Sequence, residues 1–90
     1  MAWTIKIDKA AKKELAKLDK TAADRILRFF EERIATDDNP RRFGDALSEN
    51  LAGLWKYRIG DYRAIVEIQD DIIIVLVLHV GHRRKIYGGH

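Results

Sequence analysis

The stretch Leu54 to Gln69, reading LWKYRIGDYRAIVEIQ, leaves this chain little choice of local structure. Trp55, Tyr57 and Ile59 alternate with Lys56 and Arg58, the period-two pattern of a strand with one apolar and one cationic face. Gly60 and Asp61 then turn the chain, and Tyr62, Ala64, Val66 and Ile68 resume the alternation. Two such runs joined by a two-residue turn containing glycine predict a β-hairpin. With Gly60-Asp61 as the loop, Ile59 pairs with Tyr62, Arg58 with Arg63, Tyr57 with Ala64, and Lys56 with Ile65. The apolar side chains then share one face of the hairpin, and Lys56, Arg58 and Arg63 share the other.

Like charges directly opposite on a sheet are destabilising. Three cations on one face, with no acid between them, are what an anion-binding surface presents. A merely solvated polar face is the competing reading.

The flanking segments supply the scaffold. Trp3, Ile5 and Ile7 alternate with Thr4, Lys6 and Asp8 as a short first strand, and Asp8 can cap the helix that follows. In that helix Ala11, Leu15 and Leu18 form an apolar stripe, while its lysines read as solvated surface. Thr21 opens a second helix, with Asp24 three residues on in a weaker form of the capping box. Ala23, Ile26, Leu27, Phe30 and Ile34 form its buried face, and Asp37-Asp38-Asn39-Pro40 stops it. The short link between the helices predicts an antiparallel pair.

The segment with Phe43, Ala46, Leu47 and Leu51 reads as a partly ordered connector of unassigned conformation, punctuated by Gly44 and Gly53. Beyond the hairpin, Asp70-Asp71 turns into a strand from Ile72 to Val80, apolar on both faces and therefore central, with Gly81 ending it. His79 is expected to pack or hydrogen-bond within that strand. The expected architecture is α+β over residues 1–90 as a single domain: a helical hairpin on one face of a mostly antiparallel sheet of about four strands.

Composition narrows the function classes. With no cysteine there is neither a disulfide framework nor a thiolate metal site, which fits a reducing compartment. His79, His82 and His90 make no convincing metal site, and no cofactor is expected. The opening residues lack an apolar signal core, so export is not expected, and the run Ile72 to Leu78 is too short to span a bilayer. Net charge is +3. Residues 1–53 are nearly balanced, and the cationic surplus falls at the hairpin and the tail His82-Arg83-Arg84-Lys85.

Nearly the whole chain resembles the RelE/ParE superfamily of bacterial and archaeal toxins. The resemblance rests on the strand, helix, helix, three-strand order, on LWKYRIGDYRAIVEI, and on the ending VLHVGHRRKIY. The segment YRIGDYR followed, one strand later, by GHRR and a tyrosine is similar to the RelE-like branch. That resemblance implies a RelE-like fold and a cytoplasmic, metal-independent endoribonuclease that cuts mRNA on the ribosome. It also implies a RelB-like antitoxin that holds the toxin inactive, with operator DNA bound only by the toxin–antitoxin complex.

The family's basic pair matches Lys56 and Arg58, its second-strand arginine Arg63, its arginine after the glycine Arg83, and its C-terminal tyrosine Tyr87. His82, Arg84 and Lys85 would add RNA contacts. Arg58 stands where a well-known relative has lysine, His82 also replaces a lysine, and the Arg83-to-Tyr87 spacing is shorter.

Cleavage of this kind needs the RNA 2′-hydroxyl aligned on its own phosphate, the extra negative charge stabilised and two protons moved. Arg63 and Arg83 are assigned to the phosphate, since guanidinium is a planar, permanent donor, and Arg58 to positioning. Lys56 is the better candidate base, because neighbouring cations favour its neutral amine. Tyr87 is suited to stacking on a base, and His82 to proton transfer near neutrality. Two other functions stay open: a ParE-like inhibitor of DNA gyrase without nuclease activity, and a basic nucleic-acid-binding module without chemistry.

Overall fold

In the computed structural model the described residues are 2–47 and 53–82. The chain runs β1 (Thr4–Ile7), α1 (Lys9–Lys17), α2 (Lys20–Phe29), a π-helical turn (Phe30–Ile34), a 3-10 turn (Pro40–Phe43), β2 (Gly44–Ala46), β3 (Leu54–Ile59), β4 (Tyr62–Gln69), a second 3-10 turn (Asp70–Ile72) and β5 (Ile74–His82). The five strands form one sheet in the order β1-β5-β4-β3-β2, antiparallel except where β1 lies parallel to β5. The expected α+β class and helical hairpin hold, with one strand more than expected. That strand is β2, three residues of the unassigned connector that pair with Trp55, Lys56 and Tyr57.

Capping explains the helix starts. Asp8 accepts from the Ala10 amide at 3.2 Å, as expected. The second helix begins at Asp19 rather than Thr21: the Asp19 carboxylate accepts from the Ala22 amide at 3.1 Å, so the aspartate takes the role assigned to Thr21. Ala11 and Leu15 from α1, Ala22 and Ile26 from α2, and Phe30 and Ile34 from the π turn are buried. All of these but Ala22 pack on Tyr57, Ile59, Ala64, Val66, Ile68, Val75, Val77 and Val80 of the sheet. At the centre Phe30 meets Tyr57 edge-on, with ring centroids 5.7 Å apart, a contact worth roughly 1 kcal/mol beyond its burial. The Tyr57 hydroxyl donates to the Pro40 carbonyl at 2.5 Å and ties the connector to the core.

β5 is central, as its two-faced apolarity predicts, but its limits shift. Ile72 lies in the 3-10 turn and is 61% exposed, not in a buried strand. Ile73 follows in the left-handed region, at φ 55° and ψ 49°. Gly81 does not end the strand, which continues to His82. A bulge shifts the β4–β5 register between Ile65 and Val66, where the partner jumps from His79 to Val77. One extra residue changes the parity of the inward positions, so Val75 and Val77 precede the bulge in the core and Val80 follows it.

Where β1 stops at the level of Val77, the outer edge of β5 is covered by a side chain. The Glu14 carboxylate of α1 accepts the Val80 amide at 2.9 Å and lies 3.4 Å from the His79 ring. His79 therefore does not pack inside the strand: its side chain is 57% exposed, at the edge beside Glu14.

Candidate functional site

The hairpin forms in the register read from its residue pattern: Ile59 opposite Tyr62, Arg58 opposite Arg63, Tyr57 opposite Ala64, Lys56 opposite Ile65. Gly60 supplies the turn's left-handed residue, at φ +63°. Tyr57 and Ile59 point at the helices, so Lys56, Arg58 and Arg63 occupy the helix-free face on neighbouring rungs.

The two opposed arginines are not equivalent. Arg58 is exposed, whereas Arg63 is only 9% exposed. The Arg63 Nη1 donates to the Gly60 carbonyl at 3.0 Å and to the Tyr62 carbonyl at 2.9 Å. Its buried Nε has no hydrogen-bond partner. The like-charge conflict is relieved by Arg63 turning onto the loop's own carbonyls, which bind a guanidinium without cancelling its charge. Among the described residues neither Arg58 nor Arg63 makes a salt bridge.

Lys56 is half-buried between Ile65 and Asp45 of β2, which stands directly opposite it. That flanking carboxylate comes from the unassigned strand. Glu67, two rungs further along the same face, takes a hydrogen bond from Gln69 at 2.6 Å. The helix-free surface is thus cationic at the hairpin turn and mixed away from it.

The last strand brings Gly81 opposite Arg63 and His82 opposite Tyr62. The His82 and Tyr62 rings meet edge-on with centroids 5.8 Å apart. Because Tyr62 packs against the core from the helix side, the register gives His82 that side of the sheet, across from the Lys56–Arg58–Arg63 row. Arg83, Arg84, Lys85 and Tyr87 lie outside the described residues, as does His90. Among the described residues no three His, Asp or Glu side chains group as a metal site, and no helix is long and apolar enough to cross a membrane.

A second cationic feature adjoins the turn. A groove of about 580 Å3 runs between the outer face of α2 with its π turn and the end of β3, lined by Arg25, Arg28, Arg33 and Arg58 with Asp24 and Glu32. Its signal was present in the sequence: Arg25, Arg28 and Glu32 fall at i, i+3 and i+7, one stripe of a helix whose buried residues lie elsewhere on its surface.

The fold and the hairpin row together define a small α+β protein with a row of cations on the helix-free face of its sheet. A family model described as the ParE toxin of the type II toxin–antitoxin system matches residues 5–87. Toxin RelG of Mycobacterium tuberculosis is 31% identical over 97% of this chain and 98% of its own length. Among solved structures, the RelBE2 toxin–antitoxin complex of M. tuberculosis aligns with 29% identity, covering 92% of this chain and all of that one, at a TM-score of 0.84. The archaeal RelE–RelB complex of Pyrococcus horikoshii aligns with 26% identity over 92% of this chain and 97% of that one, at a TM-score of 0.70. The chain belongs to the RelE/ParE superfamily of toxins of type II toxin–antitoxin systems.

Proposed function

We propose that this toxin is a cytoplasmic, ribosome-dependent endoribonuclease that cleaves mRNA and is held inactive by a RelB-like antitoxin. The observation that carries the reading is the clustering of Lys56, Arg58 and Arg63 at one end of the helix-free face, next to the turn. The names of the relatives, RelG and the RelE of two RelB complexes, support it.

In this reading the substrate supplies its own nucleophile. The 2′-hydroxyl attacks the adjacent phosphorus, the P–O5′ bond breaks, and the products are a 2′,3′-cyclic phosphate and a 5′-hydroxyl. Lys56 takes the 2′ proton, the leaving 5′ oxygen takes a proton from solvent, and Arg58 contacts the phosphate. Arg63, covered and bound to the turn carbonyls, holds the turn that carries Arg58 and adds an un-neutralised charge beneath the phosphate. It is a positioning residue. Arg83 and Tyr87 enter as the positions matching the family's remaining arginine and tyrosine, one for the phosphate and one for stacking on a base.

Inhibition of DNA gyrase is the second reading, and the description of the matching family model as ParE favours it. Induced expression followed by primer extension on a translated message separates the two. The nuclease reading requires new 5′ ends with the wild type, and a loss of about 100-fold or more with Lys56→Ala, Arg58→Ala or Arg83→Ala in folded protein. Intact messages together with inhibited supercoiling would overturn it in favour of gyrase.

A further inference from the structure

The groove between α2 and the β3–β4 turn is not needed for the chemistry at the hairpin, yet it joins the same surface. β2 pairs only with Trp55, Lys56 and Tyr57. Among the described residues, Arg58 and Ile59 therefore have an open outer edge, and the groove wraps around it. Arg58 lines the groove while also standing on the helix-free face, so one residue belongs to both surfaces.

Four arginines line the groove against two carboxylates, Asp24 and Glu32. One of the carboxylates is partly engaged: Arg28 Nε lies 3.7 Å from Glu32 in an i,i+4 pair whose side chains are 72% and 68% exposed, a geometry in which water screens most of the attraction. Arg25, Arg33 and Arg58 make no salt bridge among the described residues. The Arg25 guanidinium lies against Gly60, where an added Cβ would come within 2.9 Å of it, so this exposed arginine rests at the turn. Half-buried Phe29 on the wall adds an aromatic ring. Guanidinium forks beside an aromatic ring match the two parts of a nucleotide, its phosphate and its base.

We propose that this groove is a second phosphate-binding site, holding the RNA strand that flanks the scissile nucleotide as it leaves the helix-free face past Arg58. The proposal rests on the nuclease reading for the position of the cut, but the RNA contact itself does not require cleavage. It makes Arg25, Arg28 and Arg33 determinants of how long an RNA the protein grips, with no part in the chemistry.

The test uses 2′-O-methyl RNA, which cannot be cut, as a trinucleotide and as a longer single strand, bound to the full chain across a salt series. The variants are Arg25→Gln/Arg28→Gln/Arg33→Gln and, with opposite sign, Asp24→Asn/Glu32→Gln. All five side chains are exposed, so both variants keep the fold. For the longer strand the triple variant should lower the slope of log K against log salt by about 2, since each lost single-strand phosphate contact removes ~0.7. Its trinucleotide binding should be unchanged, and the double variant should bind the longer strand more tightly.

A wild type that grips both RNAs equally, or a triple variant with an unaltered slope, overturns the groove assignment. So does a triple variant that loses only its affinity for the antitoxin, because the groove would then serve an acidic protein surface. Primer extension on ribosomes judges the nuclease reading separately. Absent cleavage with an intact length-dependent grip would sink that reading and leave the groove standing.

Discussion

Arg58 and Arg63 face each other across the β3–β4 ladder, but only Arg63 is bound to the backbone of the turn that joins their strands. Substitution should therefore separate them. Arg63→Ala leaves two turn carbonyls without their donor and should destabilise the protein by about 1–3 kcal/mol. Arg58→Ala, at an exposed position, should stay within about 0.5 kcal/mol of wild type, and on the nuclease reading it should lower RNA cleavage by about 100-fold or more. Urea unfolding of both variants decides the matter; equal stability losses would show that the Arg63 contacts do not hold the turn.

The Tyr57 hydroxyl is a second anchor that leaves the cationic row untouched. It is buried against the Pro40 carbonyl, and burial pushes its ionisation well above the ordinary tyrosine range. Tyr57→Phe should cost about 1–2 kcal/mol, because the Pro40 carbonyl loses its donor in a buried setting. For a domain of this size each kcal/mol lowers Tm by roughly 4–8 °C, which calorimetry resolves.

Glu14 does for the edge of β5 what a strand would do. Glu14→Gln keeps an oxygen for the Val80 amide and should be nearly neutral, whereas Glu14→Ala should cost about 1 kcal/mol. Amide hydrogen exchange at Val80 gives the direct reading: protection retained in Gln and reduced in Ala. Equal protection in both would remove the carboxylate from the account.

Arg41 forms a bidentate pair with Asp70, at 2.9 and 2.5 Å, and lies over the Trp55 ring. The hydrogen bond from Arg41 lowers the Asp70 carboxyl from its usual value and raises the Arg41 guanidinium. A lowered carboxyl adds stability that is fully present above the ordinary carboxylate range and is lost as pH falls through the lowered value. The pair is partly solvated, so the contribution is below about 1 kcal/mol. Asp70→Asn should flatten the acid limb of the stability profile and leave neutral activity unchanged; an unaltered acid limb would remove the pair from the account.

Ile73 is a β-branched residue held at φ 55°. That geometry costs an L-residue with a branched Cβ roughly 1–2 kcal/mol. Ile73→Gly or Ile73→Asn should recover about 1 kcal/mol of it, seen as a higher urea midpoint with an unchanged m-value.

What could be read from the residues follows the strength of their periodicity. The hairpin register was legible because the alternating residues on either side of Gly60-Asp61 allow one pairing that puts Tyr57 and Ile59 inside. β2 was not, since Gly44-Asp45-Ala46 carries no alternation and is a strand only because β3 offers it an edge. Ile72 misled because hydrophobicity alone does not tell a turn from a strand. The bulge at Leu78, which moves His79 to the edge and Val80 inward, leaves no mark on an unbroken apolar run. The burial of Arg63 escaped because its partners are backbone carbonyls, which no residue identity announces.

The parallel pairing of β1 with β5 sets a timetable for synthesis. A strand made near the beginning must wait for Ile74–Val77, added long afterwards, before its ladder can close. At cellular elongation rates of about 5–20 residues per second, the nascent chain spends seconds with β1 made and its partner strand not yet made. Until Ile74–Val77 has been added, the first strand has no ladder to join, so closure of the sheet waits on a contact between segments far apart in the chain.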